Sequence, residues 1–368
     1  MSRYLSLILE SLDGEDLAPC GPIVQSLRAA VEASPASPSQ LDQIVTTAYE
    51  NLATTSLYCW RRLHTDASLL SALFSSPEDA IAKLDTAIII SGAAGDGRLD
   101  LILDLIEEIQ AKNFPPRTFT SSTVECNDMD ISGATIPSLL QPPPLATFQA
   151  REHRAPFILR SYARDWPALN ERPWASSDYL RAVSGPARVV PVEVGKDYRT
   201  DDWSQKIMPW DTFLDSLDGT EQLYLAQHSL FMQFPALRGD IIVPDYVYAA
   251  LPREKMPPEN EEQLVMNAWL GPKGTVSPAH TDPFFNMYVQ VVGYKTVWVA
   301  PPSSDGMYAS GNTSAVDVFS TDQSRYPNFL SVAGQTACLA PGDVLYLPEG
   351  WWHAMRAERQ SFSVSMWF

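Results

Sequence analysis

Through residue 112 of this 368-residue chain, apolar side chains recur every three or four positions, the period of helices with one buried face. Ile81, Leu84 and Ile88 keep this spacing, and Ser76-Pro77-Glu78-Asp79 before them supplies a helix start. The serine caps, the proline takes the first helical position, and the two acids occupy the first turn. Leu99, Ile102, Ile106 and Ile109 repeat the pattern, as do segments around Tyr4 to Leu12, Pro22 to Ala33 and Leu41 to Leu63. An antiparallel helical array with short connections is predicted over residues 1–112, without a repeat that marks a named solenoid. The pattern breaks at Asn113-Phe114-Pro115-Pro116, and a polar stretch through Ser121, Ser122, Asn127 and Asp128 leads on to Pro142-Pro143-Pro144. Such a segment disfavours both helix and sheet ladder, so residues 113–135 are read as a linker and 136–368 as a second domain.

Short strands dominate this second part: Phe157-Ile158-Leu159, Arg188-Val189-Val190, Tyr224-Leu225-Ala226, Asn286 to Val292, Thr296 to Ala300, Val344 to Leu347 and Phe362 to Trp367. Gly293-Tyr294 between two apolar runs reads as a hairpin turn. Many short strands among abundant proline and glycine predict a sandwich or barrel, and the whole chain an α+β protein. A double-stranded β-helix, or cupin-like jelly roll, would provide a mouth where ligands from separate strands meet.

Candidate chemistry centres on His280-Thr281-Asp282 and, far downstream, His353 in Leu347-Pro348-Glu349-Gly350-Trp351-Trp352-His353. On an extended strand residues i and i+2 share a face, so His280 and Asp282 can bind one ion while Thr281 points away. His353 follows the apolar strand Val344-Leu345-Tyr346-Leu347 and is the third candidate. Two imidazoles and one carboxylate form a facial triad, which leaves positions on iron(II) open for a cosubstrate and oxygen. Of the five histidines, His64, His153 and His228 are assigned ordinary core or surface roles.

Composition narrows the setting rather than the chemistry. With 45% hydrophobic residues the chain can build real cores, and no apolar run approaches a membrane span. Its start is too short and too soon acidic for a secretory signal, so an intracellular location, nucleus or cytoplasm, is expected. Cys20, Cys59, Cys126 and Cys338 lack metal-finger spacing and a disulfide framework. A net charge of −18 opposes direct nucleic-acid binding and favours basic partners. Oligomeric state is not legible.

From about Ser138 to the C-terminus the chain resembles the Jumonji-C family of iron(II) and 2-oxoglutarate oxygenases. The resemblance lies in Asn267-Ala268-Trp269-Leu270-Gly271-Pro272, the stretch Gly274 to Asp282, Val289-Gln290-Val291-Val292-Gly293-Tyr294-Lys295 and Ser361-Phe362-Ser363-Val364-Ser365. Tyr224-Leu225-Ala226-Gln227-His228, Pro191 to Gly195, Ile242 to Tyr246 and Asn312 to Val318 look like its Jumonji-C-only subgroup, which includes lysine demethylases and protein-arginine hydroxylases. The resemblance implies iron(II), 2-oxoglutarate and O2 as cofactors and a protein or peptide as substrate. A buried cosubstrate carboxylate needs a cation and polar donors beside it. Lys295 is the cation, Asn286 would share the face of His280 and Asp282 if that strand continued unbroken, and Tyr224 and Ser277 match further hydrogen-bonding positions. Glu193, Trp269 and Trp203 occupy positions similar to an arginine-binding wall, with Gln227 as a polar neighbour; a guanidinium wants a carboxylate and flat aromatic faces.

The expected reaction is hydroxylation of a protein side chain, arginine foremost. Three alternatives stay open on the sequence: methyl-lysine demethylation by the same chemistry, an inactive Jumonji-C scaffold whose helical half recruits partners, and a cupin-like zinc hydrolase.

Overall fold

Ser76 caps its helix as expected: its Oγ accepts the Asp79 N–H at 3.3 Å, and Gly92 ends the helix in the left-handed conformation at φ 64°. In the computed structural model, residues 2–12, 14–33, 37–55, 57–119, 133–253, 256–260 and 262–368 are described. Of the expected linker, residues 120–132, Cys126 among them, lie outside this set. The chain divides into two units: Met1–Thr118 with Ser184–Pro191 and Ile207–Thr212, and Phe119–Val183 with Val192–Lys206 and Phe213–Phe368.

The first unit contains helices α1 (Ser2–Glu10), α2 (Pro22–Glu32), α3 (Pro38–Leu52), α4 (Tyr58–Ala72), α5 (Pro77–Ser91) and α6 (Arg98–Asn113). The single helical segment expected over Leu41 to Leu63 is in fact most of α3 and the start of α4. The first of these stops before Thr54, whose hydroxyl turns back onto the Asn51 carbonyl at 3.1 Å, a local bond that competes with helix continuation. Helix α4 is buried along most of its length, between α3 and α5, around a core that includes Leu63, Leu69, Leu70, Ile81 and Leu84. Asp85, fully buried on α5, holds Arg188 of the same unit: Nε donates at 2.9 Å and Nη2 at 2.6 Å, and the Val189 N–H adds a bond at 2.9 Å. Removing one partner of such a pair strands the other charge in the interior. Asp85→Ala is therefore expected to lose about 3–5 kcal/mol of stability, read as a lower denaturation midpoint; an unchanged midpoint would contradict it.

The remaining structure is mostly strand: β1 (Ser138–Leu139), β2 (Phe157–Leu159), β3 (Val189–Val194), β4 (Ser204–Pro209), β5 (Leu223–His228), β6 (Val265–Gly271), β7 (Val276–Thr281) and β8 (Asn286–Val292) come first. They are followed by β9 (Lys295–Ala300), β10 (Ala309–Ser310), β11 (Thr313–Ser314), β12 (Gln335–Leu339), β13 (Val344–Leu347), β14 (Trp352–Ala357) and β15 (Ser361–Trp367). A nine-stranded sheet runs in the order β1-β2-β13-β8-β15-β6-β5-β3-β4, and a six-stranded sheet in the order β10-β11-β7-β14-β9-β12. Side chains from both sheets, among them Ile158, Tyr288, Leu345, Val297, Val299 and Met355, form one shared core. This is the jelly-roll arrangement that the strand spacing predicts.

The expected hairpin at Gly293-Tyr294 is not one. Strand β8 pairs with β13 and β15, whereas β9 pairs with β12 and β14, so the turn carries the chain from one sheet to the other. Two apolar runs joined by two residues look alike in either case, and β8, buried at every position, shows no alternation that would tell them apart. Gly293 suits this corner, with φ at +69° and a Cβ there falling 1.9 Å from the Gln360 carbonyl oxygen. Among the described residues no helix is long and apolar enough to cross a membrane.

Candidate active site

His280 and His353 stand opposite each other because β7 and β14 pair antiparallel in a register that matches the two residues directly. His353 follows the strand Val344–Leu347, as the sequence predicts, and lies on a strand of its own, β14. Asp282 sits just past the end of β7, where the Gly350 N–H donates to its carbonyl at 2.9 Å and ties the turn before β14 to the metal motif. One carboxylate oxygen lies 3.8 Å from His280 Nε2 and the other 3.4 Å from His353 Nε2. All three donor atoms fall within 4.8 Å of one another.

The tautomers suit a metal. His280 Nδ1 is 2.8 Å from the Pro278 carbonyl and His353 Nδ1 is 3.0 Å from the Trp351 carbonyl. A carbonyl only accepts, so each Nδ1 carries the hydrogen and each Nε2 is turned toward the shared point. Burial, helped by the charge of His353, pushes His280 down to about 4 and keeps that ring neutral. Burial works against charge on Asp282 and His353 alike, yet their mutual hydrogen bond and attraction hold the acid below its usual range and raise the histidine. The Trp367 indole N–H adds to this effect, leaning toward the Asp282 carboxylate and favouring its charged form without reaching full hydrogen-bond geometry.

A cavity of about 460 Å³ opens onto His280 and Asp282 and is lined by Glu193, Tyr198, Trp203, Gln205, Tyr224, Gln227, Trp269, Ser277, Asn312, Thr313 and Trp367. The predicted Glu193, Trp203, Trp269, Gln227, Tyr224 and Ser277 thus converge on one space. Lys295 stands behind Tyr224: its Nζ donates to the Tyr224 hydroxyl at 3.2 Å and to that of Tyr288 at 2.8 Å, and the residue is 1% exposed. Among the described residues no carboxylate pairs with it, and burial pushes its pKa down to about 7. A buried lysine whose hydrogen-bond partners are two phenols carries a charge at a cost that an anion beside it would offset.

Asn286 is where the expectation fails in detail. Strand β7 ends at Thr281 and β8 begins at Asn286 in the other sheet, so no unbroken strand relates its side chain to His280. Its Oδ1 accepts the Met366 N–H at 3.2 Å, and the residue is buried. Tyr288, missed from the sequence, lies two positions further along β8 and reaches Lys295; its alternation with Asn286 was the available signal. Trp367, Tyr198, Asn312 and Thr313 carried no such signal, because loop and strand-end residues converge only once both sheets are assembled.

Glu193 pairs in register with Tyr224 across β3 and β5. Half-buried, its carboxyl is raised by burial, although the Trp203 indole N–H leans toward it and partly offsets that effect. Among the described residues no lysine or arginine pairs with it. Gln227 takes the left-handed conformation at φ 46°, within a register shift between β5 and β6, so a bulge sets its direction at the cavity wall. The other three histidines are engaged elsewhere: His64 with Ser91, His153 with the Phe148 carbonyl, His228 with Gln233.

Residues 146–368 match the model of the Cupin-like domain family. The chain is similar to "Lysine-specific demethylase 8" of Danio rerio, 32% identical over 84% of this chain and 81% of the relative. It is 39% identical to "Jumonji C domain-containing protein 5" of Drosophila melanogaster, over 64% of this chain and 60% of the relative. It is 40% identical to "Lysine-specific demethylase 8" of Xenopus tropicalis, over 58% of this chain and 48% of the relative.

Proposed function

This chain belongs to the cupin-like Jumonji-C family of 2-oxoglutarate-dependent oxygenases, and from that premise we propose that it hydroxylates an arginine side chain of a protein. Two imidazole nitrogens and one carboxylate, with the histidine tautomers set by backbone carbonyls, suit iron(II) and leave sites for cosubstrate and O2. Bound there with 2-oxoglutarate and O2, the metal would supply oxidising power as the cosubstrate leaves as succinate and carbon dioxide and one oxygen atom passes to a substrate C–H.

The protein's own residues do the positioning. Lys295, flanked by Tyr224 and Tyr288, would receive the distal carboxylate of 2-oxoglutarate, with Ser277 beside Tyr224 as a further donor. Asn286 could serve that carboxylate through its amide nitrogen, its one side-chain donor, while its oxygen accepts the Met366 N–H.

The observation that carries the arginine reading is Glu193: a half-buried carboxylate without a basic partner among the described residues, facing the cavity alongside Trp203 and Trp269. A guanidinium would satisfy that acid and lie against the rings, and its permanent charge suits a site that a neutral amine would leave unmatched. The net charge of −18 is in keeping with a basic protein substrate.

Demethylation of methyl-lysine is the second reading, favoured by the names of two relatives. Mass spectrometry after incubation with iron(II), ascorbate and 2-oxoglutarate separates them. Stable gain of one oxygen by an arginine peptide supports hydroxylation; loss of a methyl group from a methyl-lysine peptide, with the arginine peptide unchanged, would overturn it. Glu193→Gln should weaken binding of the arginine peptide by about 2 kcal/mol or more, roughly 30-fold in KM, while leaving the half-saturating 2-oxoglutarate concentration in place.

A further inference from the structure

The segment between β3 and β4 carries Tyr198 and Trp203 to the cavity, and Asn312 and Thr313 reach it from around β11. These two stretches are joined at Arg199. Its Nε and Nη2 grip the Asp197 carboxylate at 2.9 and 3.0 Å, its backbone N–H donates to the same acid at 3.0 Å, and Nη1 donates to the Val316 carbonyl at 2.8 Å. Asp197 is buried, with only 1% of its side chain exposed, so the acid serves as a fixed anchor. Val316 is fixed too: it is fully buried, its N–H donates to Ser314 Oγ at 3.1 Å, and that hydroxyl in turn bonds the Met307 carbonyl. Thr313 is the backbone partner of His280 and shares the cavity wall with Tyr198.

A continuous path therefore runs from the cavity wall through Arg199 to Val316, and from Thr313 to a metal-motif histidine. A salt bridge between Asp197 and Arg199 needs no third partner. The bond to Val316, 117 residues away in sequence, has a different effect: it closes the wall onto the strand beside the metal motif.

We propose that Arg199 is a positioning residue, holding the Tyr198–Trp203 wall in register with β7 so that the substrate side chain is presented at a fixed distance from the metal. The inference rests on the hydroxylase reading above for its consequence, though not for its geometry. In an oxygenase, a slack wall has a specific penalty: the cosubstrate is consumed while the target C–H is out of reach, so succinate outruns product. Misplacement by about 1 Å can cost on the order of 100-fold.

The test compares the full-length chain with Arg199→Ala and Arg199→Lys, using hydrogen exchange and turnover of a synthetic peptide with one central arginine. In Arg199→Ala, amides of residues 195–203 and 312–316 should exchange faster while those of β7 and β14 keep their protection. KM for the peptide should rise roughly 10- to 100-fold, and succinate per hydroxylated arginine should increase, with peptide-free consumption of 2-oxoglutarate retained. Lysine can still reach one acceptor, so Arg199→Lys should recover part of both effects. Unchanged exchange, exchange raised throughout the domain, or an unaltered KM and succinate ratio would each overturn the proposal. Should the wild type leave arginine peptides untouched, the hydroxylase reading fails alone, and the exchange comparison still decides whether Arg199 joins the two stretches.

Discussion

Replacing Lys295 with methionine is expected to abolish 2-oxoglutarate-dependent turnover and, in the same molecule, to raise the unfolding temperature of the ligand-free protein. Both outcomes come from burial of an ammonium beside two phenols, with no carboxylate paired to it among the described residues. Without the cation, the distal carboxylate of the cosubstrate would enter the site uncompensated. Losing one partner of a buried charged pair costs about 2–5 kcal/mol, so half-saturation should shift from 30-fold to a few thousand-fold. Methionine preserves the length and apolar stem of lysine, so the core around it keeps its packing.

The stability gain has a sign and a window. An unfolded lysine stays protonated up to about its ordinary value of 10.5, but in the folded, ligand-free chain Lys295 gives up its proton at about 7. Between these values the unfolded state binds the extra proton. Folding is therefore penalised as pH falls from 10.5 toward 7, and the penalty is complete below 7. Each pH unit of that window is worth about 1.4 kcal/mol, so Lys295→Met should gain a few kcal/mol at neutral pH and nothing above the window. The same proton links to binding. Above pH 7 the wild type must take up a proton to hold the dicarboxylate, and its affinity should fall by about tenfold per pH unit. Calorimetry in two buffers of different ionisation enthalpy would report that uptake. A Lys295→Met chain that still binds 2-oxoglutarate, or one that melts lower when ligand-free, would refute the account.

The metal motif was legible in the sequence because it depends on local facts: His280 and Asp282 are two apart at the end of a strand, and few histidines compete. Which strand pairs with which is set by packing at a distance. Gly293-Tyr294 illustrates the gap. Its flanking runs suggest a hairpin, yet each pairs with strands distant in sequence, in two different sheets. Strand parity puts Asn286 on the face of His280 only if it runs through residues 282–285, where no strand exists, so its face does not follow from spacing. Glu193 was legible only by resemblance. That no cation pairs with it among the described residues is a property of three-dimensional surroundings, and so is the Arg199 bond to Val316.

Asp282→Ala is expected to eliminate cosubstrate turnover, with a loss well beyond the roughly 10- to 100-fold that follows removal of outer-shell partners of a metal site. The acid is the one anionic donor of the three and touches both imidazoles, so its removal leaves two neutral nitrogens that cannot offset the charge of a divalent ion. The fold should survive. The hydrogen bond from Gly350 uses the backbone carbonyl of residue 282, which alanine retains, and the register of β7 with β14 does not involve the side chain. Manganese binding measured by calorimetry or electron paramagnetic resonance should therefore vanish while the circular dichroism spectrum is kept. His280→Ala made on top of Asp282→Ala should add almost nothing, because residues that act as one unit are lost as one unit. If the single variant keeps manganese and forms succinate at an appreciable rate, Asp282 is not a ligand, and the metal must be held by the histidines and a group outside this triad.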